Sequence, residues 1–492
     1  MAKAEEKREH VGLKKELGLF SAVSVIVAVM IGSGIFVSPS SALARSGSVG
    51  LSLIVWTVSG FLSLLGALAF AELSAMVPRS GAEYAYFLEA FVPLHSYFGQ
   101  LPAFICAWIF IFVLRPAEVA VITLTFAEYF VQPFIPYFGH IEPESWHQVK
   151  KLVAIMTLGL MVYINMTSVK LYVRMQNIFM IFKIGACMLV IVGGIWWLAT
   201  GHTELLNEPF KDSTTSPGQI ALAFYSGLWA YDGWSASAVV AEEVQHPEIN
   251  ILRSILIAVP IVTVLYVSMN LMYMSVLTKA EMISAPAVVV VWAAKVLPSW
   301  MSFVIPLGVA VSTFGCGLSV QFGVTRLCYV AGREGHVPRF FSWVHFERMT
   351  PAVAVAQQGA LTLACLCIGN TIDIIEFVSV IIWIFYGLAM VALIVLRRSN
   401  KPLCGRNRLV PIEIPWVVLL ISIFLAFLPI LDTPSQSYAV VIAIVAIGCV
   451  VHYVYVYKKR KNKFMRKLTY LVQMLFMVVA PDETENKTGI RN

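Results

Sequence analysis

Long apolar runs, separated by short polar stretches, set the pattern of this chain. About twelve of them start near Leu17, Leu51, Leu101, Leu152, Ile178, Ile220, Leu252, Met301, Val353, Ile374, Ile414 and Ala439. Each is close to the ~20 residues that carry a helix across a bilayer. The pattern predicts an all-α, multi-spanning membrane protein. A further apolar stretch, 283–294, is too short to cross and reads as a re-entrant or surface helix. Two of the runs are interrupted near their midpoints. In the first, Val29-Met-Ile-Gly-Ser-Gly-Ile-Phe36 brings in two glycines and a serine. In the sixth, glycines, aromatic residues and an aspartate break the run between Phe224 and Ser237. Lipid offers no hydrogen-bond partners, so backbone freed at that depth must face a protein-lined cavity. Breaks in spans one and six, five spans apart, are the mark of two inverted five-helix repeats whose broken first members face each other.

Composition agrees with this reading. Of 492 residues, 59% are hydrophobic and only 13% are charged, against roughly 25% charged in a soluble protein. Residues 1–16 form a charged arm, 17–458 the membrane domain, and 459–492 a tail whose segment 464–479 is amphipathic and suited to the inner membrane surface. The first run is too long for a signal-peptide core and is expected to remain as the first helix. With the N-terminus inside, 27 of the 35 lysines and arginines fall on the inner side and six on the outer, while Arg115 and Lys183 lie within helices. That asymmetry puts both termini in the cytoplasm. The net charge of +7 is therefore a topology signal. Its scatter over many short loops argues against a nucleic-acid partner, and the cluster from Lys458 to Lys467 suits anionic headgroups. None of the eight cysteines falls in a predicted outer loop, so no structural disulfide is expected, and Cys365-x-Cys367 lacks a matching ligand pair for a metal. The sequons at Asn165 and Asn486 fall in a helix and in the inner tail, so neither is expected to carry sugar.

The two breaks carry the candidate chemistry. Backbone N–H groups at a helix N-terminus attract a carboxylate, and Gly32, Ser33 and Gly34, flanked by Ile31 and Ile35, offer such a nest with small residues that permit close approach. Freed carbonyls near Val29, Met30 and Ile31, and in the opposing break near Phe224, Gly227 and Leu228, suit an ammonium. Those two ends together fit a zwitterionic amino acid. Ser33 has no base beside it and is read as a backbone donor whose hydroxyl assists, not as a nucleophile. In Trp229-Ala230-Tyr231-Asp232-Gly233-Trp234, Trp229 is the candidate gate over the substrate, and Asp232 orients water or a cationic side chain, because an intramembrane aspartate is costly without a role. Arg115 and Glu118, three residues apart on one helix, are expected to pair. Lys183, in mid-membrane, needs a partner, and its ammonium can fill the place of a sodium ion.

With these residues in view, the chain resembles the amino acid–polyamine–organocation superfamily, and more narrowly the light subunits of heteromeric amino acid transporters. The resemblance covers roughly residues 17–481. It rests on Ile31-Gly-Ser-Gly-Ile-Phe36, Glu72-Leu-Ser74, Pro78-Arg-Ser-Gly-Ala-Glu-Tyr84, Arg115-Pro116, Gly227-Leu-Trp-Ala-Tyr-Asp-Gly-Trp234, Glu242-Glu243 and Gly332-Arg-Glu-Gly-His-Val-Pro338. It implies twelve helices in the LeuT-like arrangement, sodium-independent exchange of amino acids, and a helix-five lysine at Lys183. It also implies a type II glycoprotein heavy chain as partner. The loop 136–143 has no cysteine to link such a partner. The Trp-Ala-Tyr-Asp stretch resembles the branch that takes cationic and neutral amino acids plus cystine. Ile382, beside Trp383 in helix ten, stands where the cystine–glutamate branch has arginine, which argues against glutamate. Ser235 replaces the asparagine common after the tryptophan.

These readings make the chain a sodium-independent L-amino acid exchanger working by alternating access, with no cofactor and no enzymatic activity, in the plasma membrane. The alternatives are a uniporter, an exporter of cationic amino acids or polyamines, and an amino acid sensor without flux. A channel would need a polar stripe along several helices. An enzyme would need a catalytic constellation, and His140, His147, His202 and His246 are scattered near loops without ligand spacing.

Overall fold

A computed structural model of the chain describes residues 17–480, except 138–142, 286, 299, 300, 302, 369, 370, 400–409, 433–435 and 459–462. The expectations placed on the N-terminal arm, on most of the loop 136–143, on Cys404 and on the second sequon lie outside those residues. The helices, in chain order, are α1 (Leu19–Met30), α2 (Gly34–Ser46), α3 (Val49–Met76), α4 (Glu83–Phe91), α5 (Leu101–Ile109), α6 (Arg115–Val131), α7 (Pro143–Thr167), α8 (Val169–Ala199), α9 (Pro217–Ala230), α10 (Ala236–Val239), α11 (Pro247–Val276), α12 (Lys279–Ser284), α13 (Val288–Val296), α14 (Val304–Arg333), α15 (Ala352–Ile368), α16 (Thr371–Arg398), α17 (Glu413–Asp432), α18 (Gln436–Val451) and α19 (Lys463–Phe476). Their starts follow local chemistry: Ser48, Ser168 and Ser216 accept backbone N–H groups as N-caps of α3, α8 and α9, which satisfies donors a helix start leaves open.

Among the described residues, seven helices are long and apolar enough to cross a membrane, and α1 with α2, bent by 43° at their break, adds an eighth crossing. Each of the remaining four predicted spans also contains a helix, but these are shorter or broken. Span five begins at Val169, about two turns before the predicted Ile178, because Lys170 and Arg174 extend the helix beyond its apolar part. Span three runs from Leu101 through α6 with a π-helical turn at Phe110–Leu114, just before Arg115-Pro116. A proline lacks the N–H that a regular helix would use there.

Packing follows the two-repeat expectation. α2 lies on α9, α3 on α11, α6 on α14 and α7 on α15, so spans one to four each touch the span five ahead. The stretch 283–294 is too short to cross, and it packs one face on the bundle. It forms α12 and α13, and α13 is buried through Val288, Val289, Trp292 and Ala293. Trp292 donates its indole N–H to the Met272 carbonyl at 3.2 Å and fits against Gly193, where a Cβ would lie 2.7 Å from the ring. A buried indole needs such a partner, and this one draws the helix into the bundle.

The end of the bundle carrying most of the basic residues is tied by ion pairs. Arg326 and Glu243 pair at 2.6 Å with both side chains wholly buried, Arg397 and Glu72 pair at 2.7 Å, and Arg333 reaches Glu242 at 2.9 Å. Glu242 also exchanges hydrogen bonds with Ser80, and the Leu17 N–H donates to the Glu243 carbonyl at 2.9 Å. The motifs that precede α4, follow α10 and close α14 thus meet in one network. The tail is helical over Lys463–Phe476. Val478–Val479 pairs antiparallel with Val344–His345, which spends Val472 and Val478 on the protein and leaves Tyr470, Leu471, Met474 and Leu475 exposed.

His336, in the loop after α14, is hydrogen-bonded through Nδ1 to the Tyr84 hydroxyl at 2.9 Å. Burial, helped by the neighbouring His452, holds its imidazole down at about 4, against an ordinary 6.5. Between those values the unfolded chain binds a proton that the folded one does not. The stability His336 contributes is therefore complete above pH 6.5 and falls as pH drops toward 4. The melting temperature of the purified protein is expected to drop across that window, and His336→Gln is expected to flatten the drop. An unchanged slope in the variant would assign the pH dependence elsewhere.

Candidate functional site

The break in the first span frees carbonyls that a continuous helix would use, and side chains take up four of them. Ala28 accepts from the Lys183 ammonium at 2.5 Å. Val29 accepts from the Cys316 thiol at 3.3 Å. Met30 accepts from the Tyr266 hydroxyl, and Ile31 from the Ser312 hydroxyl at 2.8 Å. On the other side of the break, among the described residues, the N–H groups of Gly34 and Ile35 have no acceptor. These are first-turn donors that only a ligand, water or cap can satisfy.

The second break crosses the first in direct contact. A Cβ on Gly34 would lie 2.5 Å from Cα of Ala230, and one on Gly32 would lie 2.5 Å from Sγ of Cys316. Gly233 turns the chain after α9 with φ +114°, a conformation L side chains rarely adopt, and approaches Val29 just as closely. The Tyr266 hydroxyl joins both breaks, since it donates to Met30 and is also 3.2 Å from the Ala230 carbonyl.

Three cavities meet at Asp232. One, about 20 Å³, is lined by Gly32, Ser33, Gly34, Glu118, Trp229 and Cys316 among others. That is room for about one water. A second, between Trp229, Trp383 and Tyr386, lies on the side of Ser63 and Ile382. The third runs past Glu83, Phe110, Arg115 and Ser235 toward the end of the bundle that carries the ion pairs. The half-buried Asp232 accepts a hydrogen bond from Tyr386, and Arg115 pairs with Glu118 at 2.6 Å, as their spacing predicts. Trp383 packs edge-on to Tyr386 with ring centroids 5.6 Å apart.

Of the residues singled out in the sequence, Gly32, Ser33, Gly34, Trp229, Ala230, Asp232 and Trp383 line these cavities. Ile31, Ile35, Phe224, Gly227 and Tyr231 do not. Ile31 contributes a carbonyl that is already occupied. Gly227 is where α9 approaches Ser59 of α3. Tyr231 points the other way, between Trp56 and Tyr266. Lys183 lies behind the break, wholly buried. The residues not foreseen are Ser312, Cys316, Tyr266 and Tyr386. Ser312 and Cys316 are four apart on α14 and so share a face, and Tyr386 follows Trp383 by three, but no polar pattern in the sequence says which face turns inward.

A profile of the amino acid permease family matches residues 17–451, nearly all of the membrane domain. The chain belongs to this family. Its relatives include the b(0,+)-type amino acid transporter 1 of Rattus norvegicus, 39% identical over 96% of this chain and 94% of the relative. The cystine/glutamate transporter of Homo sapiens is 35% identical over 97% and 93%, and the Asc-type amino acid transporter 1 of Mus musculus 36% over 97% and 89%. This permease is thus an integral membrane protein and a transporter, not an enzyme. The two breaks are the part of the fold in which open backbone N–H groups border a cavity.

The contact of Gly34 with Ala230 sets a test. Gly34→Ala is expected to reduce labelled amino acid uptake in liposomes about tenfold or more (~1.4 kcal/mol), because the two breaks must part. Gly159→Ala, with nothing within 4 Å of the added Cβ, is the control and is expected to transport normally.

Proposed function

We propose that this permease exchanges L-amino acids across the plasma membrane by alternating access, without sodium, and that its substrates are neutral and cationic. The observation that carries the sodium independence is the Lys183 ammonium on the Ala28 carbonyl. A fixed cation already neutralises the freed end of α1, where a coupling ion would otherwise be required. The substrate carboxylate sits on the open N–H groups of Gly34 and Ile35, at the positive end of α2. Its ammonium takes carbonyls from the first break in exchange for their present side-chain donors. Trp229 closes over it. Asp232 releases Tyr386 and receives a cationic side chain or an ordered water. The central cavity, at about 20 Å³, must widen for an amino acid to enter, and movement of Trp229 and of α2 against α9 supplies the space.

The basic residues gathered at one end of the bundle support cytoplasmic termini. The b(0,+)-type relative and the aspartate at 232 support substrates that include cationic amino acids. A heavy chain, if one is recruited, binds without a disulfide through the loop 136–143, which carries no cysteine.

The chain purified alone into liposomes, with labelled L-leucine and L-arginine and no sodium, tests this reading. Uptake is expected only into vesicles preloaded with unlabelled amino acid; equal uptake into empty vesicles would make the protein a uniporter. Asp232→Asn is expected to lower arginine uptake relative to leucine about tenfold or more. An unchanged ratio would remove Asp232 from substrate selection.

A further inference from the structure

Glu83 opens α4 and is buried, with 4% of its surface exposed. The chain reaches it through two left-handed residues, Gly81 at φ 103° and Ala82 at φ 41°. The Val239 carbonyl holds the Gly81 N–H at 3.0 Å. A left-handed alanine is costly, and such residues cluster where a ligand or a switch requires them. Here the turn brings a carboxylate into the wall of the third cavity, about 50 Å³, which Arg115 and Asp232 also line. One oxygen of that carboxylate, Oε1, is buried and has no hydrogen-bond partner among the described residues.

The charges along the path do not balance. Glu83, Glu118, Asp232 and Arg115 are the charged residues that line the three cavities. Arg115 is hydrogen-bonded to Glu118 at 2.6 Å. Asp232 has the Tyr386 hydroxyl, which brings no positive charge. Lys183 is turned away, onto the Ala28 carbonyl behind the break. Three carboxylates thus share one cation, and buried charge without a counter-charge is costly. The cavities also fix an order. Gly32, Ser33 and Gly34 line the first together with Asp232, and Glu83 lines the third together with Asp232. Asp232 therefore stands between the open N–H pole of the first break and Glu83.

We propose that Glu83 receives the far end of a long cationic side chain. With the substrate carboxylate on the N–H groups of Gly34 and Ile35, a side chain of arginine length passes Asp232 and donates to Oε1 of Glu83. This inference rests on the reading that the permease carries cationic amino acids, and it adds to Asp232 a second carboxylate set toward the basic end of the bundle. Short cations end at Asp232, and neutral side chains use neither group. The third cavity has room for a few waters, whose place the cationic head takes.

Equilibrium binding of amino acids to the purified full chain tests this without reference to flux. Glu83→Gln is expected to weaken L-arginine about tenfold or more. L-leucine, and L-2,4-diaminobutyrate with its short ammonium arm, are expected to stay within about twofold. Glu83→Asp keeps the charge and is expected to recover part of the arginine affinity. In Asp232→Asn, arginine is expected to remain about tenfold tighter than L-citrulline, which matches its length without its charge. An unchanged arginine affinity in Glu83→Gln would overturn the inference, and so would a loss shared equally by leucine or diaminobutyrate. A lost preference over citrulline in Asp232→Asn would overturn it even if the Glu83 variants failed to fold. Leucine binding without arginine binding in the unaltered chain would overturn it together with the cationic half of the proposed function. Binding of neither would overturn the amino acid reading as a whole.

Discussion

Everything distinctive in this structure depends on where a backbone freed inside the membrane finds its hydrogen bonds. A break in a spanning helix exposes carbonyls and N–H groups that lipid cannot satisfy. Here the two poles of the break are treated differently. The carbonyl pole is filled by the protein's own donors: an ammonium, a thiol and two hydroxyls, drawn from α8, α14 and α11. The N–H pole is left open beside a cavity. That asymmetry leaves the positive end of α2 facing the cavity, with Asp232 in the same wall. The glycines follow from the same requirement, since a side chain at Gly34 would hold the breaks apart and one at Gly32 would collide with Cys316 of α14.

The ion pairs at the basic end have a different task. Arg326 with Glu243 and Arg397 with Glu72 are desolvated pairs. Such pairs add little net stability over well-packed apolar groups, but losing one partner leaves a buried charge. Their cost is therefore conditional, and they favour one arrangement of the helix ends over its near neighbours. They join α14 to the segment after α10 and α16 to α3, while Glu242 ties that same segment to the segment before α4 through Ser80 and to the end of α14 through Arg333. The sequence motifs that identify the family outside the breaks are mostly the parts of this network.

The class of fold was legible because the bilayer imposes length and apolarity on every span, and the interruptions at Gly32 and Gly233 stand out against that background. The site was legible only in part. Glycines, Asp232 and Trp229 announce themselves, because each is out of place in an apolar helix. Ser312, Cys316, Tyr266 and Tyr386 do not, since a hydroxyl or thiol in a helix can bond its own backbone and carries no sign of its direction. Tyr231 shows the converse: adjacent to Asp232 in sequence, it is turned by the helix geometry toward Trp56 and Tyr266 instead of the cavity. The stretch 283–294 was legible as too short to cross; which of its faces packs on the bundle, through Trp292, was not.

One hydroxyl bears on the whole cycle. Tyr266 belongs to the unbroken α11, yet reaches the carbonyl at the end of α1 and the carbonyl at the end of α9. Two broken helices with separate anchors would be two hinges free to open in any order, including both at once. Sharing one anchor makes the opening of either a disturbance felt by the other. A carrier built this way guards against leak not with a thicker barrier but by removing a degree of freedom.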